Sequence, residues 1–161
     1  MNRAILITGF NNWGKSTHIE ALFGGRQKFY RLGQYAIAGV NAHFTVESQS
    51  NDDVGEAGFL NKVIYKLDYP NCVPADLICA FCPTKESGND SRRILSSSLF
   101  SSYSEIHLFL LKYKWDMHAE LRINDITSHI SAVSNLRITV IGSPPPGQNR
   151  EIISNLQKLY P

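Results

Sequence analysis

The sequence predicts an α/β fold, a three-layer αβα sandwich built around a mostly parallel central sheet. Short apolar runs typical of strands alternate with amphipathic stretches typical of helices along all 161 residues. The main strand runs are apolar at nearly every position, as expected for parallel strands that helices cover on both faces. Polar loops follow these strands, and ligands of α/β sheets bind at that edge.

Apolar periodicity predicts the individual elements. Strands are expected at residues 3–8, 27–32, 35–38, 42–48, 77–82, 106–111 and 136–141, with a hairpin turn at 39–41. A helix is expected to follow the first strand and end at 24–25, with further helices around 59–67, 91–103, 121–133 and 152–159. Residues 49–56 and 84–90 are mainly polar and predict loops at the binding edge.

The composition indicates one globular domain over residues 1–161. Hydrophobic residues make up 43% of the chain and charged residues 19%, which is ordinary for a folded domain with its own core. The net charge of +2 gives no bulk field that favours nucleic acid or an anionic membrane, so neither is predicted as a partner. No apolar run approaches the roughly 20 residues of a membrane span. With three cysteines, an odd number, a cytoplasmic location is expected.

Residues 9–16 read GFNNWGKS, the pattern G-x-x-x-x-G-K-S, and Thr17 follows. The pattern lies between a predicted strand and a predicted helix, as a phosphate-binding loop requires. Its glycines permit backbone angles that turn successive N–H groups toward an anion, and the helix N-terminus adds partial positive charge. The candidate binding residues are Gly9, Asn11, Asn12, Trp13, Gly14, Lys15, Ser16 and Thr17.

On this motif, a Walker A motif, the chain resembles the P-loop NTPases, with a layout similar to that of Ras-like small GTPases. The resemblance implies that Lys15 neutralises the β- and γ-phosphates of bound ATP or GTP and serves catalysis. It also implies that the Ser16 hydroxyl ligates Mg²⁺. The large side chain of Trp13 would block the phosphates if it pointed at them, so we expect it to project outward onto a neighbouring loop or a partner.

Residues 52–55 read DDVG and match D-x-x-G, the second signature of Ras-like GTPases. The resemblance implies that Asp52, or else Asp53, holds Mg²⁺ and that the Gly55 N–H senses the γ-phosphate. Glu56 follows where those proteins often have a glutamine, so it is the candidate for orienting the attacking water. Glu47 is a further candidate carboxylate at the end of the preceding strand, and a solvated acidic loop is the alternative for the whole stretch.

Residues 113–116 read YKWD at the position of the guanine-reading motif N-K-x-D. The resemblance implies that Lys114 lies over the base and that Asp116 accepts hydrogen bonds from guanine. Tyrosine replaces the asparagine, so ATP and GTP both remain candidates, and the alternative is a loop salt pair. Residues 24–44 contain no serine or threonine, so a switch threonine has no candidate there.

Three functions fit these residues. The preferred function is Mg²⁺-dependent binding and slow hydrolysis of a nucleoside triphosphate, with a nucleotide switch that a protein partner senses. A small-molecule or nucleoside kinase is the alternative, in which Arg92 and Arg93 clamp the phosphates as a lid. A nucleotide-binding subunit without turnover is the third. Cys79 and Cys82 are expected on opposite faces of one strand, as buried thiols rather than metal ligands.

Overall fold

A computed structural model describes residues 1–71, 75–116 and 120–161, and Cys72 lies outside them. Its strands are β1 (Arg3–Thr8), β2 (Tyr35–Ala36), β3 (His43–Glu47), β4 (Leu77–Phe81), β5 (Lys85–Glu86), β6 (Asn89–Asp90), β7 (Glu105–Leu111) and β8 (Leu136–Ile141). Its helices are α1 (Lys15–Leu22), α2 (Asn51–Leu67), α3 (Ser91–Leu95), α4 (Ser98–Ser101), α5 (Ile123–Ile130) and α6 (Gln148–Leu159).

Six strands form the main sheet, in the order β2-β3-β4-β1-β7-β8. β2 runs antiparallel to β3, and every other neighbouring pair is parallel. Strands β5 and β6 form a separate antiparallel hairpin. The predicted α/β class with a mostly parallel central sheet is therefore confirmed, and the flanking helices are compatible with a three-layer sandwich.

The three central strands carry the core. Residues of β4 are buried throughout, and β1 and β7 are buried at all positions except their first residues. Their register sets apolar side chains side by side, for example Ile5 beside Ile78 and Leu6 beside Leu108. Each fully buried side chain of this size stabilises the fold by roughly 1.5–3 kcal/mol. This packing fixes the carboxyl ends of the strands, where the polar loops lie.

The predicted strand at 27–32 was wrong. Leu32 has φ 58°, a left-handed conformation that an L-residue avoids in a strand. Phe29 is buried by ring contacts instead, with its centroid 5.4 Å from that of Phe23 and 5.1 Å from that of Tyr35. The segment is therefore held by aromatic packing rather than by strand pairing. The predicted strand at 35–38 shortens to β2, whose antiparallel pairing with β3 agrees with the predicted turn at 39–41.

The polar stretch 49–56 was also predicted wrongly, because α2 begins at Asn51. Ser50 precedes the helix, and its backbone N–H donates to Asp53 Oδ2 at 3.0 Å. This is one half of a capping box, which stabilises a helix start. Gly55 has φ 74° and ψ 172°, so it breaks the helical conformation inside α2. The D-x-x-G residues thus lie in the first turns of a kinked helix, not in an open loop.

Two further boundaries differ from the sequence prediction. The predicted loop 84–90 contains the hairpin of β5 and β6, with Gly88 in its turn at φ 76°. The predicted helix 91–103 is divided into α3 and α4, because Ser97 caps a new helix by accepting from the Phe100 N–H. Among the described residues, no helix combines the length and apolarity that crossing a membrane requires.

Candidate functional site

The loop between β1 and α1 is built by two glycines with different roles. Gly14 has φ 82° and precedes α1, so it needs the left-handed conformation that glycine adopts without strain. Gly9 does not have a positive φ, contrary to the sequence prediction. A Cβ on Gly9 would lie 3.0 Å from the Trp13 Cβ, so the position needs glycine for close approach. The Gly9 N–H donates to Phe81 O at 3.1 Å and ties the loop to β4.

A cavity of about 600 Å³ opens along this loop. Seven consecutive residues, 11–17, line it. These are seven of the eight predicted binding residues, all except Gly9, and the last three of them begin α1. The other lining residues are Ser48, Ser50, Asp53, Ala80, Lys114 and Trp115. The structure therefore brings these seven loop residues, which include the predicted metal ligand Ser16, to one cavity with Asp53 and Lys114.

Lys15 is held inside this site. Its side chain is only 7% exposed, and Nζ donates to Phe10 O at 2.8 Å. The same Nζ lies 3.6 Å from Asp52 Oδ2. The loop carbonyl and the carboxylate thus compensate the ammonium group, which burial would otherwise leave without a partner. An anion in the cavity would find this positive charge already positioned at the loop.

The two aspartates of the D-x-x-G match lie on different cavities. Asp53 lines the loop cavity together with Ser16, whereas Asp52 contacts Lys15 and the Ser50 hydroxyl and lines a second cavity. Hydroxyl and carboxylate oxygens are the donors that Mg²⁺ prefers, usually one or two carboxylates completed by phosphate oxygens and water. Ser16 and Asp53 are the two predicted Mg²⁺ ligands that line the same cavity, and Asp52 adjoins it through its contact with Lys15.

Glu47 does not line the loop cavity; Lys66 Nζ lies 3.4 Å from its carboxylate, and the Gln49 N–H donates to it at 2.9 Å. The strand that ends at Glu47, β3, is not a neighbour of β1, because β4 lies between them. The acidic residues reach the loop through the start of α2 rather than from an adjacent strand end.

Asn51 holds the start of α2 beside the loop, and the sequence did not indicate this residue. Its side chain is fully buried, and its Oδ1 accepts from the Cys82 N–H at 2.7 Å. Its Nδ2 donates to Cys82 O at 3.0 Å and to Asn89 Oδ1 at 2.9 Å. One amide group therefore joins the start of α2 to the end of β4 and to the β5–β6 hairpin. The spacing of Ser50 and Asp53 is that of a capping box and would have located the start of α2. No sequence pattern indicates the hydrogen-bond partners of Asn51.

Two residues from competing hypotheses are paired with each other. Glu56, the candidate for orienting water, accepts from Arg93 Nε at 2.7 Å and from Nη2 at 2.8 Å. The hydrogen bonds from Arg93 lower the pKa of the Glu56 carboxyl and raise that of the guanidinium. Neither side chain lines the loop cavity, and neither do Gly55 and the exposed Arg92. The structure thus does not bring these four predicted residues to the phosphate loop.

Of the two base-reading candidates, Lys114 lines the loop cavity and Asp116 does not. The Lys114 Nζ is 3.7 Å from Asp116 Oδ2. This is the salt pair that the sequence analysis kept as the alternative to base reading. Between them stands Trp115, to which the sequence analysis gave no role. Its indole is 57% exposed, and its Nε1–H donates to Asn12 O at 3.0 Å.

The prediction for Trp13 was wrong in its direction. Trp13 is 6% exposed and belongs to the hydrophobic core instead of projecting outward. Its ring lies edge-on to that of Phe10, with centroids 6.1 Å apart and planes at 78°. Because Gly9 has no Cβ, the Trp13 side chain can pack closely against the backbone of the loop. The loop is thereby anchored in the core by one of its own residues.

His18 links the first helix to the last. Its Nδ1 lies 2.5 Å from Asn149 Oδ1 on α6, and burial lowers the pKa of the imidazole. Cys79 and Cys82 are both buried, as predicted. Burial raises the pKa of the Cys79 thiol and brings that of Cys82 to about 12. In the part of the chain that the structure describes, no group of three or more His, Cys, Asp or Glu side chains is arranged to hold a metal.

A second cavity, of about 930 Å³, borders the other side of the loop. It shares Asn11 and Trp13 with the first cavity and includes Phe10 and Asp52. Its remaining lining comes from the end of β4, the β5–β6 hairpin and the region of α5: Cys82, Pro83, Thr84, Lys85, Glu86, Asn89, Glu120, Arg122, Asp125 and Ile126. Apolar and charged side chains both contribute, so the cavity suits an amphipathic small molecule.

No protein-family model matches the chain, and no curated protein matches it either.

Proposed function

We propose that this chain is a P-loop NTPase that binds ATP or GTP with Mg²⁺ and hydrolyses it slowly. The observation that carries the proposal is the convergence of residues 11–17 and the Lys15 ammonium group on one cavity at the start of α1. Backbone N–H groups at a helix N-terminus favour a phosphate by direct donation and by the helix dipole. A glycine turn without this function would not require a buried lysine.

The chain's own groups would divide the work as follows. The loop N–H groups orient the phosphate oxygens, and Lys15 stabilises negative charge that develops on the transferred phosphoryl group. Ser16, Asp53 and Asp52 would hold Mg²⁺, which when bound would neutralise phosphate charge. Glu56 is occupied by Arg93 rather than directed at the cavity, and we propose slow turnover for this reason. Slow turnover suits a nucleotide switch, because the triphosphate state then lasts long enough for a protein partner to sense it.

The test is the affinity for Mg²⁺-ATP and Mg²⁺-GTP of wild type, Lys15→Ala and Lys62→Ala, measured by calorimetry. Lys62 is exposed on α2 and does not line the loop cavity, so its variant is a matched control for loss of one positive charge. We expect at least a hundredfold loss in Lys15→Ala, equivalent to about 2.7 kcal/mol. Lys62→Ala should bind like wild type. Equal affinity of Lys15→Ala and wild type would refute the proposal.

A kinase is the second candidate, and the second cavity favours it. Asp52 lines that cavity while its carboxylate lies 3.6 Å from Lys15 Nζ, so an acceptor there would adjoin a phosphate held by Lys15. Product analysis separates the two functions. A hydrolase releases inorganic phosphate with water alone, whereas a kinase releases the diphosphate rapidly only when an acceptor is added. Diphosphate release that no nucleoside or small alcohol accelerates would argue against the kinase.

A further inference from the structure

Trp115 is exposed and yet fixed in position. A ring with 57% of its surface in water loses much of the stabilisation that burying an indole provides. Two contacts nevertheless fix its orientation: the Nε1–H bond to Asn12 O and the approach of the ring to Gly14. A Cβ on Gly14 would lie 3.5 Å from the Trp115 Cβ and 3.6 Å from its Cδ1, so the side chain lies directly against the phosphate loop.

The position of the Trp115 ring at the loop cavity indicates which part of a ligand it would contact. Trp115 lines the cavity that residues 11–17 also line, and it follows β7 at the edge where α/β sheets bind ligands. Its neighbour Lys114 lines the same cavity and is paired with Asp116 at 3.7 Å. A nucleotide whose phosphates occupy the loop would therefore extend beside a rigid aromatic surface. The polar groups next to that surface already have each other as partners.

We propose that the exposed face of Trp115 is the stacking platform for the nucleobase, so that the base is held by stacking rather than read by hydrogen bonds. This inference rests on the proposed function. Every nucleobase has a π-face, so stacking on an aromatic side chain does not depend on which base is bound. The site therefore accepts purine triphosphates with little discrimination. The hydrogen bond to Asn12 O couples the platform to the loop, so base and phosphates are held by one connected unit.

The experiment compares three ligands, each with Mg²⁺: ATP, GTP and inorganic tripolyphosphate, which has no base. Calorimetry is performed on wild type, Trp115→Ala, Trp115→Phe and Tyr65→Ala. Phenylalanine keeps a π-face but removes the Nε1–H donor, so it separates stacking from the bond to Asn12. Tyr65 is 65% exposed and does not line the cavity, so its variant controls for the loss of an exposed aromatic ring. Circular dichroism establishes that each variant is folded.

We expect Trp115→Ala to weaken ATP and GTP alike, by about 5- to 150-fold, and to leave tripolyphosphate unchanged. Trp115→Phe should recover most of the loss, and Tyr65→Ala should match wild type. Equal losses for tripolyphosphate and ATP in Trp115→Ala would overturn the inference, because the ring would then only support the loop. A tenfold preference of wild type for GTP would overturn it as well.

The failure of this inference differs from the failure of the proposed function. If wild type binds tripolyphosphate and both nucleotides but Trp115→Ala binds them equally well, the phosphate site stands and the platform does not. If wild type binds none of the three ligands, both fail. If Trp115→Ala does not fold, Trp115→Leu takes its place: a loss for ATP and GTP but not for tripolyphosphate supports stacking, and no loss, or a loss as large for tripolyphosphate as for ATP, contradicts it.

Discussion

Removal of the Asn51 side chain tests how the acidic residues are held beside the phosphate loop. In Asn51→Ala, the buried Cys82 N–H loses the acceptor that lies 2.7 Å away, whereas Cys82 O still accepts from the Thr84 N–H at 2.9 Å. A buried donor left unpaired costs about 1–3 kcal/mol, and the lost amide donor bond contributes about 1 kcal/mol more. We therefore expect a decrease of about 2–4 kcal/mol in the free energy of unfolding.

Urea denaturation followed by circular dichroism measures this change, and thermal melting should give a midpoint lower by roughly 4–16 °C. Asn41→Ala is the matched control, because Asn41 is exposed and its Nδ2 donates only to Pro161 O at 3.1 Å. The control should lie within about 0.5 kcal/mol of wild type. An Asn51→Ala variant as stable as Asn41→Ala would refute the account of the buried amide.

Three further predictions concern titratable groups. Burial lowers the pKa of His18 below its ordinary 6.5, so its contribution to stability is present above pH 6.5 and is lost as the pH falls below that value. In His18→Gln, the urea midpoint should therefore change less between pH 7 and pH 5 than it does in wild type. Because Arg93 lowers the pKa of Glu56, stability should fall with acidification below about pH 4.5, and less so in Glu56→Gln. Native Cys79 and Cys82 should resist iodoacetamide at pH 8, with labelling located by mass spectrometry before and after unfolding. Labelling of native protein, or unchanged pH profiles in the variants, would contradict these assignments.

The sequence predicted the elements whose side chains are almost all buried. β1, β4 and β7 are apolar on both faces, and that pattern has few solutions other than a central parallel strand. The position of the loop between β1 and α1 was predictable for a similar reason, because its glycines, lysine and serine form a local pattern; phosphate binding by this loop stays a prediction. Local chemistry of this kind does not depend on what the rest of the chain does.

Elements that depend on distant partners were predicted poorly. Residues 27–32 have strand-like composition, but the rings around Phe29 pack against Phe23 and Tyr35 instead of pairing with a strand. The polar stretch before Phe59 looked like a loop because polarity alone does not distinguish an exposed loop from a capped helix start. Ser50 and Asp53 have the spacing of a capping box, so this start was recoverable from the sequence.

The candidate site shows the same division. The residues 11–17 and Lys114 were identified from spacing, and the structure brings them to one cavity. The pairing of Glu56 with Arg93 was not predictable, because the two residues are 37 positions apart and approach only when the β5–β6 hairpin packs on α2. Trp115 was not predicted as a site residue, because it stands at the unspecified position of the N-K-x-D pattern.

The contact between Lys15 and Asp52 also sets the electrical balance of the loop before any ligand arrives. With Nζ 3.6 Å from Asp52 Oδ2, the lysine charge already faces a carboxylate, and Asp53 brings a second carboxylate to the cavity that Lys15 lines. An anion that enters alone must compete with Asp52 for the ammonium group and is repelled by both carboxylates. A divalent cation that accompanies the anion reverses this repulsion. If the loop binds an anion, as we propose, it should therefore favour an anion that arrives with a divalent cation, because the cation would offset the charge of both carboxylates.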